Sequence, residues 1–295
     1  MGQAFFKGLD RERDLKDKAE RFCREVLMKI GIYQMMPIFG KREENLKVAI
    51  SDLKNVNADL VVLPELFNTG YQFLNKAELM DLSEEIPEGM TCRGIMELSK
   101  KTGTYYVFGL AERDGDKLFN SAVIVGPEGY MGKYRKTHLF YEEKELFCPG
   151  DTGFRVFDIN TAKIGIMICF DWWFPESCRV LAILGANIIC HPSNLVMPYC
   201  QMAMQIRSLE NGVYTATANR IGYEQRGGKE RLSFSGMSQI VDPWGKVLKR
   251  MGKEESGVAV CEIDPQKANL KEINRFNDRL KDRRPEFYKA LVDVY

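Results

Sequence analysis

Strands that alternate with amphipathic helices, together with two hairpin turns of antiparallel character, predict an α/β chain whose mixed sheets are covered by helices. The short, partly β-branched apolar runs at 60–63 and 164–168 are continuous, as in strands buried on both faces. Between such runs, apolar residues recur at helical spacing. Gly126-Pro127-Glu128-Gly129 and Asp242-Pro243-Trp244-Gly245 each place Pro second and Gly fourth, the arrangement of a type I turn closing a hairpin.

In chain order, residues 9–27 come first. Leu15, Ala19, Phe22, Cys23, Val26 and Leu27 fall at helical spacing, and Glu12 with Lys16, Asp14 with Lys18 and Glu20 with Arg24 are i,i+4 charge pairs. Segment 1–27 therefore reads as an amphipathic extension, either a packing arm or a stretch upstream of a start at Met28. The domain proper is expected over 28–295. It opens with a strand at 29–34, a helix at 42–55 and the strand at 60–63, which runs straight into Pro64-Glu65-Leu66. A helix over 92–101 precedes strands at 105–110 and 122–125. After the apolar run at 164–168, Pro175-Glu176-Ser177 opens a helix over 176–184. A further helix fits 200–211, and strands fit 188–190, 214–218, 238–241 and 258–263. The charged last segment, 271–295, is expected on the surface or against a neighbouring subunit.

Composition narrows the class of function. The formal net charge of the 295 residues is +1 with both signs interspersed, so neither nucleic acid nor an anionic membrane is an expected partner. A small molecule is. The longest apolar stretch, 180–190, is interrupted and too short to span a bilayer. The eight cysteines include no C-x-x-C, and His138 and His191 are far apart, so no metal site is expected. A cytoplasmic protein with reduced thiols fits this usage.

Three segments carry candidate chemistry. Cys169 leaves an apolar strand for the aromatic turn Phe170-Asp171-Trp172-Trp173-Phe174-Pro175, and the carboxyl ends of strands are where open α/β sheets bind ligands. The bland alternative is a buried core cysteine. A nucleophilic thiol needs a base or a stabilising field, because a free thiol is only a few per cent ionised at neutral pH. Cys190 and His191 cannot readily form that pair, since adjacent side chains on a strand point to opposite faces. His138 reads as a structural donor. Glu65, at another strand exit, can take the thiol proton; otherwise it is a solvated carboxylate. Lys136, in Lys133-Tyr134-Arg135-Lys136-Thr137-His138, can stabilise an oxyanion, with Glu143 placed to hold it; otherwise the segment is a solvated basic loop.

Together, Pro64-Glu65-Leu66-Phe67, Lys133-Tyr134-Arg135-Lys136-Thr137-His138-Leu139 and Cys169-Phe170-Asp171-Trp172-Trp173-Phe174-Pro175-Glu176 resemble, in order and spacing, the Glu, Lys and Cys motifs of the nitrilase superfamily of carbon–nitrogen hydrolases. Supporting matches run from Met28-Lys29-Ile30-Gly31-Ile32 through Pro149-Gly150-Asp151 and His191-Pro192-Ser193-Asn194 to Asp282-Arg283-Arg284-Pro285-Glu286, so the resemblance covers residue 28 to the C-terminus. It implies a four-layer αββα sandwich that forms homodimers or higher oligomers through helices. It also implies Cys169 as nucleophile, Glu65 as general base and then acid, Lys136 as oxyanion stabiliser, Glu143 as its positioning partner and the Phe170 backbone N–H as a second oxyanion donor, with no cofactor. Tyr71, Trp172 and Asn194 are candidates for contact with substrate.

Asp171 is the pattern of the amidase and carbamoyl hydrolase branches, so the reading is hydrolysis of a small amide or N-carbamoyl compound. A small aliphatic nitrile is the alternative, because His191-Pro192-Ser193-Asn194-Leu195-Val196-Met197-Pro198-Tyr199 resembles thermophilic homologues associated with such nitriles. A catalytically silent interaction protein would need the Glu, Lys and Cys set to be broken, and all three are present.

Overall fold

The computed structural model describes residues 27–293, and the expected N-terminal helix lies outside the described residues apart from its last position. β1 (Met28–Gln34) is followed by α1 (Arg42–Leu53), β2 (Leu60–Val62), α2 (Lys76–Leu82) and α3 (Met90–Thr102). β3 (Tyr105–Asp114), β4 (Lys117–Gly126) and β5 (Gly129–Arg135) form a meander, and the short α4 (Glu143–Leu146) leads to β6 (Val156–Asp158) and β7 (Lys163–Ile166). A 3₁₀ turn over Cys169–Trp173 feeds α5 (Pro175–Ile183), β8 (Ile188–Ser193), α6 (Cys200–Asn211) and β9 (Tyr214–Asn219). The ribbon of β10 (Tyr223–Glu224) and β11 (Leu232–Ser233) precedes β12 (Gln239–Val241), β13 (Val247–Arg250) and β14 (Gly257–Ile263). A second ribbon, β15 (Glu272–Asn274) with β16 (Asn277–Asp278), opens the C-terminal arm, which Lys271 ties to the end of α6 by donating to the carbonyls of Asn211 and Gly212.

The main strands form two six-stranded sheets, β14-β1-β2-β3-β4-β5 and β13-β12-β9-β8-β7-β6. Each has three parallel neighbours, β1 to β3 or β7 to β9, flanked by antiparallel strands. Period-2 alternation sorts their side chains between layers. Ile30, Ile32, Leu60, Val62, Val107 and Ile124 of the first sheet share one buried core with Ile164, Ile166, Ile188, Cys190 and Ala216 of the second. Val61, Leu63, Tyr106, Phe108 and Val123 instead pack with Leu46, Ala49 and Leu53 of α1 and Cys92, Ile95 and Leu98 of α3. α5 covers the far side of the second sheet, where a Cβ on Gly165 would lie only 3.2 Å from Leu181. The order helix, sheet, sheet, helix is the four-layer αββα sandwich. Each fully buried Leu or Ile in these layers stabilises it by roughly 1.5–3 kcal/mol.

Both expected hairpins are present, with Gly126 paired to Gly129 and the Gly245 N–H donating to the Asp242 carbonyl at 3.0 Å. The structure also corrects the reading. β3 and β4 run to ten residues each, because Glu112, Asn120 and Ser121 are polar yet buried in the sheet. Glu112 accepts from Arg135, Lys133 and Ser121, which offsets its desolvation. The basic segment 133–135 is the end of β5 and not a loop. β8 continues through Pro192, which lies beyond the last pair between β7 and β8, Ile166 with Cys190, so its missing N–H leaves no acceptor of β7 unpaired. Along α5 and α6, Val180, Ile183, Met202 and Ile206 are exposed. Among the described residues, no helix is long and apolar enough to cross a membrane, and no group of His, Cys, Asp and Glu could hold a metal ion.

Candidate active site

Glu65 leaves the end of β2 wholly buried, and the chain turns immediately through Leu66 at the left-handed φ of 49°. Gly109 of β3 allows this close pass, since a Cβ there would lie 2.6 Å from the Glu65 Cα. Glu65 Oε1 accepts from Asn120 Nδ2 and from Lys136 Nζ, each at 2.7 Å, while Oε2 has no hydrogen-bond partner. Lys136 follows β5, its backbone held between the Asn120 carbonyl at 2.8 Å and the Gly150 N–H at 2.9 Å. Its Nζ also donates to Glu143 Oε1 at 2.8 Å, so one buried ammonium faces two buried carboxylates. Burial alone would strip its proton, but the Glu143 and Glu65 charges outweigh burial and hold it protonated far into the alkaline range. Burial pushes the Glu143 carboxyl up against the pull of Lys136, and Glu143 also accepts from the Tyr71 hydroxyl at 2.7 Å and the Phe140 N–H at 3.2 Å.

Cys169 begins the 3₁₀ turn with φ at 40°, a left-handed conformation that costs a non-glycine residue roughly 1–3 kcal/mol and persists only where neighbours impose it. Those neighbours are specific. The fully buried Asp171 carboxylate accepts from the Ile168 N–H and Tyr134 hydroxyl, each at 2.8 Å, and from the His138 backbone N–H at 3.1 Å, and lies 2.8 Å from His138 Nδ1. His191 Nε2 donates to the Cys169 carbonyl at 2.8 Å, and its Nδ1 accepts from Thr217 Oγ1 at 3.1 Å. The thiol itself is held well above the usual range, first by burial and then by the Glu65 charge, against the pull of Lys136 and of the Asn194 backbone N–H on Sγ. At rest it is a neutral thiol that a base must deprotonate.

Cys169 faces a small cleft with Phe140, Phe170, Trp172, Asn194, Leu195, Val196 and Met197. The fold thus brings Glu65, Lys136, Glu143 and Cys169 together, with Phe170, Trp172 and Asn194 at the cleft. Trp172 is largely buried and also packs in the core, whereas Trp173 beside it is 47% exposed. Tyr71 reaches the cluster with its hydroxyl already committed to Glu143. Asp171 does not: its carboxylate is taken up by the backbone and side chains that hold the turn. His138 Nδ1 lies against the Asp171 carboxylate and His191 Nε2 against the Cys169 carbonyl. Sequence reasoning missed Asn120, Tyr134, Thr217 and Glu224, all of them polar, buried and on or beside strands. Buried polarity at strand positions was the available signal.

Burial pushes His191 down to about 4 from its ordinary 6.5. The unfolded chain takes up this proton below 6.5 while the folded protein refuses it. The stability His191 contributes is thus present above pH 6.5 and lost as pH falls toward 4, by roughly 3 kcal/mol at most. Denaturant midpoints measured between pH 7 and 4 should fall accordingly. His191→Asn should remove that part of the acid sensitivity, and an unchanged pH dependence in the variant would assign it elsewhere.

A thiol on a strained strand exit, set against a carboxylate, ammonium and second carboxylate in an αββα sandwich, defines a thiol-bearing hydrolase architecture. The chain belongs to the carbon-nitrogen hydrolase family, whose pattern matches residues 29–270. It is 51% identical over 265 residues to a protein of Pyrococcus abyssi named Nitrilase, covering 89% of this chain and 99% of that one. It is 34% identical over 262 residues to an (R)-stereoselective amidase of a Pseudomonas species, covering 87% and 92%. The crystal structure of a carbon-nitrogen hydrolase from Helicobacter pylori superposes with a TM-score of 0.83 at 27% identity, covering 91% of this chain and 99% of that one. The protein is a hydrolase of the nitrilase superfamily that acts on carbon–nitrogen bonds other than peptide bonds, which sets aside the silent interaction protein.

Proposed function

We propose that the protein hydrolyses a short amide or N-carbamoyl compound through a thioester on Cys169. One observation carries this reading: an ammonium has three N–H donors, and Lys136 commits two of them to Glu65 and Glu143, while Glu65 keeps Oε2 free. The third Lys136 proton is the oxyanion donor and the free oxygen is the proton carrier. Glu65 Oε2 takes the Cys169 proton as Sγ attacks the carbonyl carbon, and Lys136 Nζ with the Phe170 N–H stabilises the oxygen anion. Phe170 is suited to this because it is in the first turn of the 3₁₀ helix, where N–H groups lack intrahelical acceptors. Collapse breaks the C–N bond, Glu65 returns the proton to the leaving nitrogen, and a thioester remains. Glu65 then deprotonates water, which attacks the thioester. The second collapse expels Cys169, which recovers its proton.

Substrate selection falls to the cleft. The residues that line it beside Cys169 are apolar or aromatic apart from Asn194, and none of them is charged. Asn194 is 3% exposed with neither Oδ1 nor Nδ2 partnered, a polar handle for the substrate's own amide. A short aliphatic nitrile is the second reading, favoured by the 51% identity to the Pyrococcus abyssi Nitrilase. It would pass through a thioimidate, whose hydrolysis releases ammonia and gives the same thioester.

The test is an ammonia-release screen over short amides, N-carbamoyl amino acids, carbamoyl polyamines and aliphatic nitriles, with intact-mass analysis of the quenched enzyme. The expected result is turnover of amides or carbamoyl compounds, uncharged members ahead of those bearing a carboxylate, with the acyl group on Cys169. Ammonia from nitriles alone would move the assignment to the second reading. An adduct on another residue would remove the mechanism.

A further inference from the structure

We infer that Glu224 is a positioning residue for the lysine–carboxylate cluster, acting through Tyr71 from 153 residues away. Glu224, on β10, is buried and accepts two consecutive backbone N–H groups, Tyr71 at 3.0 Å and Gln72 at 2.6 Å. A carboxylate that gathers two amide protons at one turn fixes the direction in which the intervening side chain leaves the backbone. Gly70 makes the approach possible: it takes the left-handed φ of 84°, and a Cβ there would lie 2.7 Å from Glu224 Oε1. The charge of Glu224 is balanced by Arg220, which is wholly buried and bonded to it. The Arg220 guanidinium in turn lies 4.0 Å from the centre of the Phe234 ring, and Phe234 packs edge-on against Tyr71 with ring centres 6.1 Å apart. Tyr71 is therefore clamped at its backbone by Glu224 and at its ring by Phe234.

The far end of that ring is the point of the arrangement. The Tyr71 hydroxyl donates to Glu143 Oε1, the same oxygen that accepts from Lys136 Nζ. A donor shared on one oxygen weakens its hold on the other donor. Tyr71 thus tempers the pull of Glu143 on the ammonium and leaves Nζ poised between Glu143 and Glu65. Without it, Lys136 leans toward Glu143 and away from the oxyanion, and displacements of that order cost the chemical step and not binding.

This rests on the proposed role of Lys136 and Glu143 in the chemical step, so the experiment separates the two. Glu224→Gln, Tyr71→Phe and the double variant are assayed on the best substrate, with kcat expressed per folded enzyme, the folded fraction being taken from denaturant unfolding of each variant. Each single variant should lower kcat about tenfold with KM within about twofold, and the double should be no more than about twofold slower than the slower single. Multiplicative losses, near a hundredfold in the double, or a Glu224→Gln effect confined to KM, would overturn the inference while leaving the mechanism in place. A normal kcat in Tyr71→Phe would overturn it too, and Lys136→Met then tells whether the mechanism falls with it. Glu224→Gln leaves a buried guanidinium without its carboxylate. If it does not fold, Arg220→Met with Glu224→Gln removes the pair together, and the same cycle with Tyr71→Phe is read on that background.

Discussion

Cys169→Ala should abolish ammonia release, by at least about 10⁴-fold, while the protein folds and unfolds much as before. Two physical points separate activity from stability here. The thiol is 5% exposed and held as a neutral group by burial, so it makes no charged interaction that the fold needs at rest. The backbone strain at φ 40° is imposed by Asp171, His191 and their partners, none of which binds the Cys169 side chain, and alanine meets it with a Cβ of the same size. The chemistry has no such reserve. Without Sγ no thioester forms, and the carboxylate of Glu65 is left to activate water against an amide directly. Ammonia assays on the purified variant, with thermal unfolding as the control for folding, decide the matter. Retained turnover would take the nucleophile's role away from Cys169.

Lys136→Met should lower kcat about 10²–10³-fold and destabilise the fold by about 3–5 kcal/mol, a joint effect that no surface lysine would give. The activity loss follows from removing the oxyanion donor. The stability loss follows from leaving Glu65 and Glu143, both buried, facing one another without their cation. One of the two carboxyls must then hold a proton in the folded state that the unfolded chain releases, so the variant's deficit should shrink as pH is lowered and widen as it is raised. Equilibrium denaturation at pH 5.5 and 8 measures this, and steady-state kinetics at the same pH values measure the rest. An effect limited to KM would make Lys136 a substrate-binding residue. A stability deficit independent of pH would argue against two carboxylates sharing the one cation.

Local signals were enough to find the parts. Leu60 to Leu63 and Ile164 to Ile168 are apolar runs that stop at a polar residue, so the strand exits that carry Glu65 and Cys169 could be located by periodicity and by the polarity change alone. The two Pro-x-Gly turns marked hairpins because their residues satisfy turn geometry without help from elsewhere. The same reasoning stopped short on β3 and β4, whose far halves carry Glu112, Asn120 and Ser121. Glu112 is accommodated there by Lys133 and Arg135, 21 and 23 residues on, and Asn120 by Glu65, 55 residues back, partners that a local window does not contain. Asp171 was legible as a family feature but its work was not, since its partners lie on β5, on the following loop and on its own turn.

Propensity and periodicity are properties of neighbours, so the chain order of the residues was enough to predict an α/β protein, and the resemblance of its motifs pointed to a carbon–nitrogen hydrolase with Glu65, Lys136, Glu143 and Cys169 as the proposed reactive set. Which oxygen of Glu65 is free and which proton of Lys136 is left over were decided only when the ends of β2, β4 and β5 met α4, and the bonds of Tyr71 with Glu143 and Glu224 only when the segments after β2 and β9 met. Apart from the Lys136–Glu143 bond, whose partners are 7 positions apart, those facts are hydrogen bonds between residues 55 to 153 positions apart, and buried hydrogen bonds of that kind are set by three-dimensional packing, on which no local pattern reports.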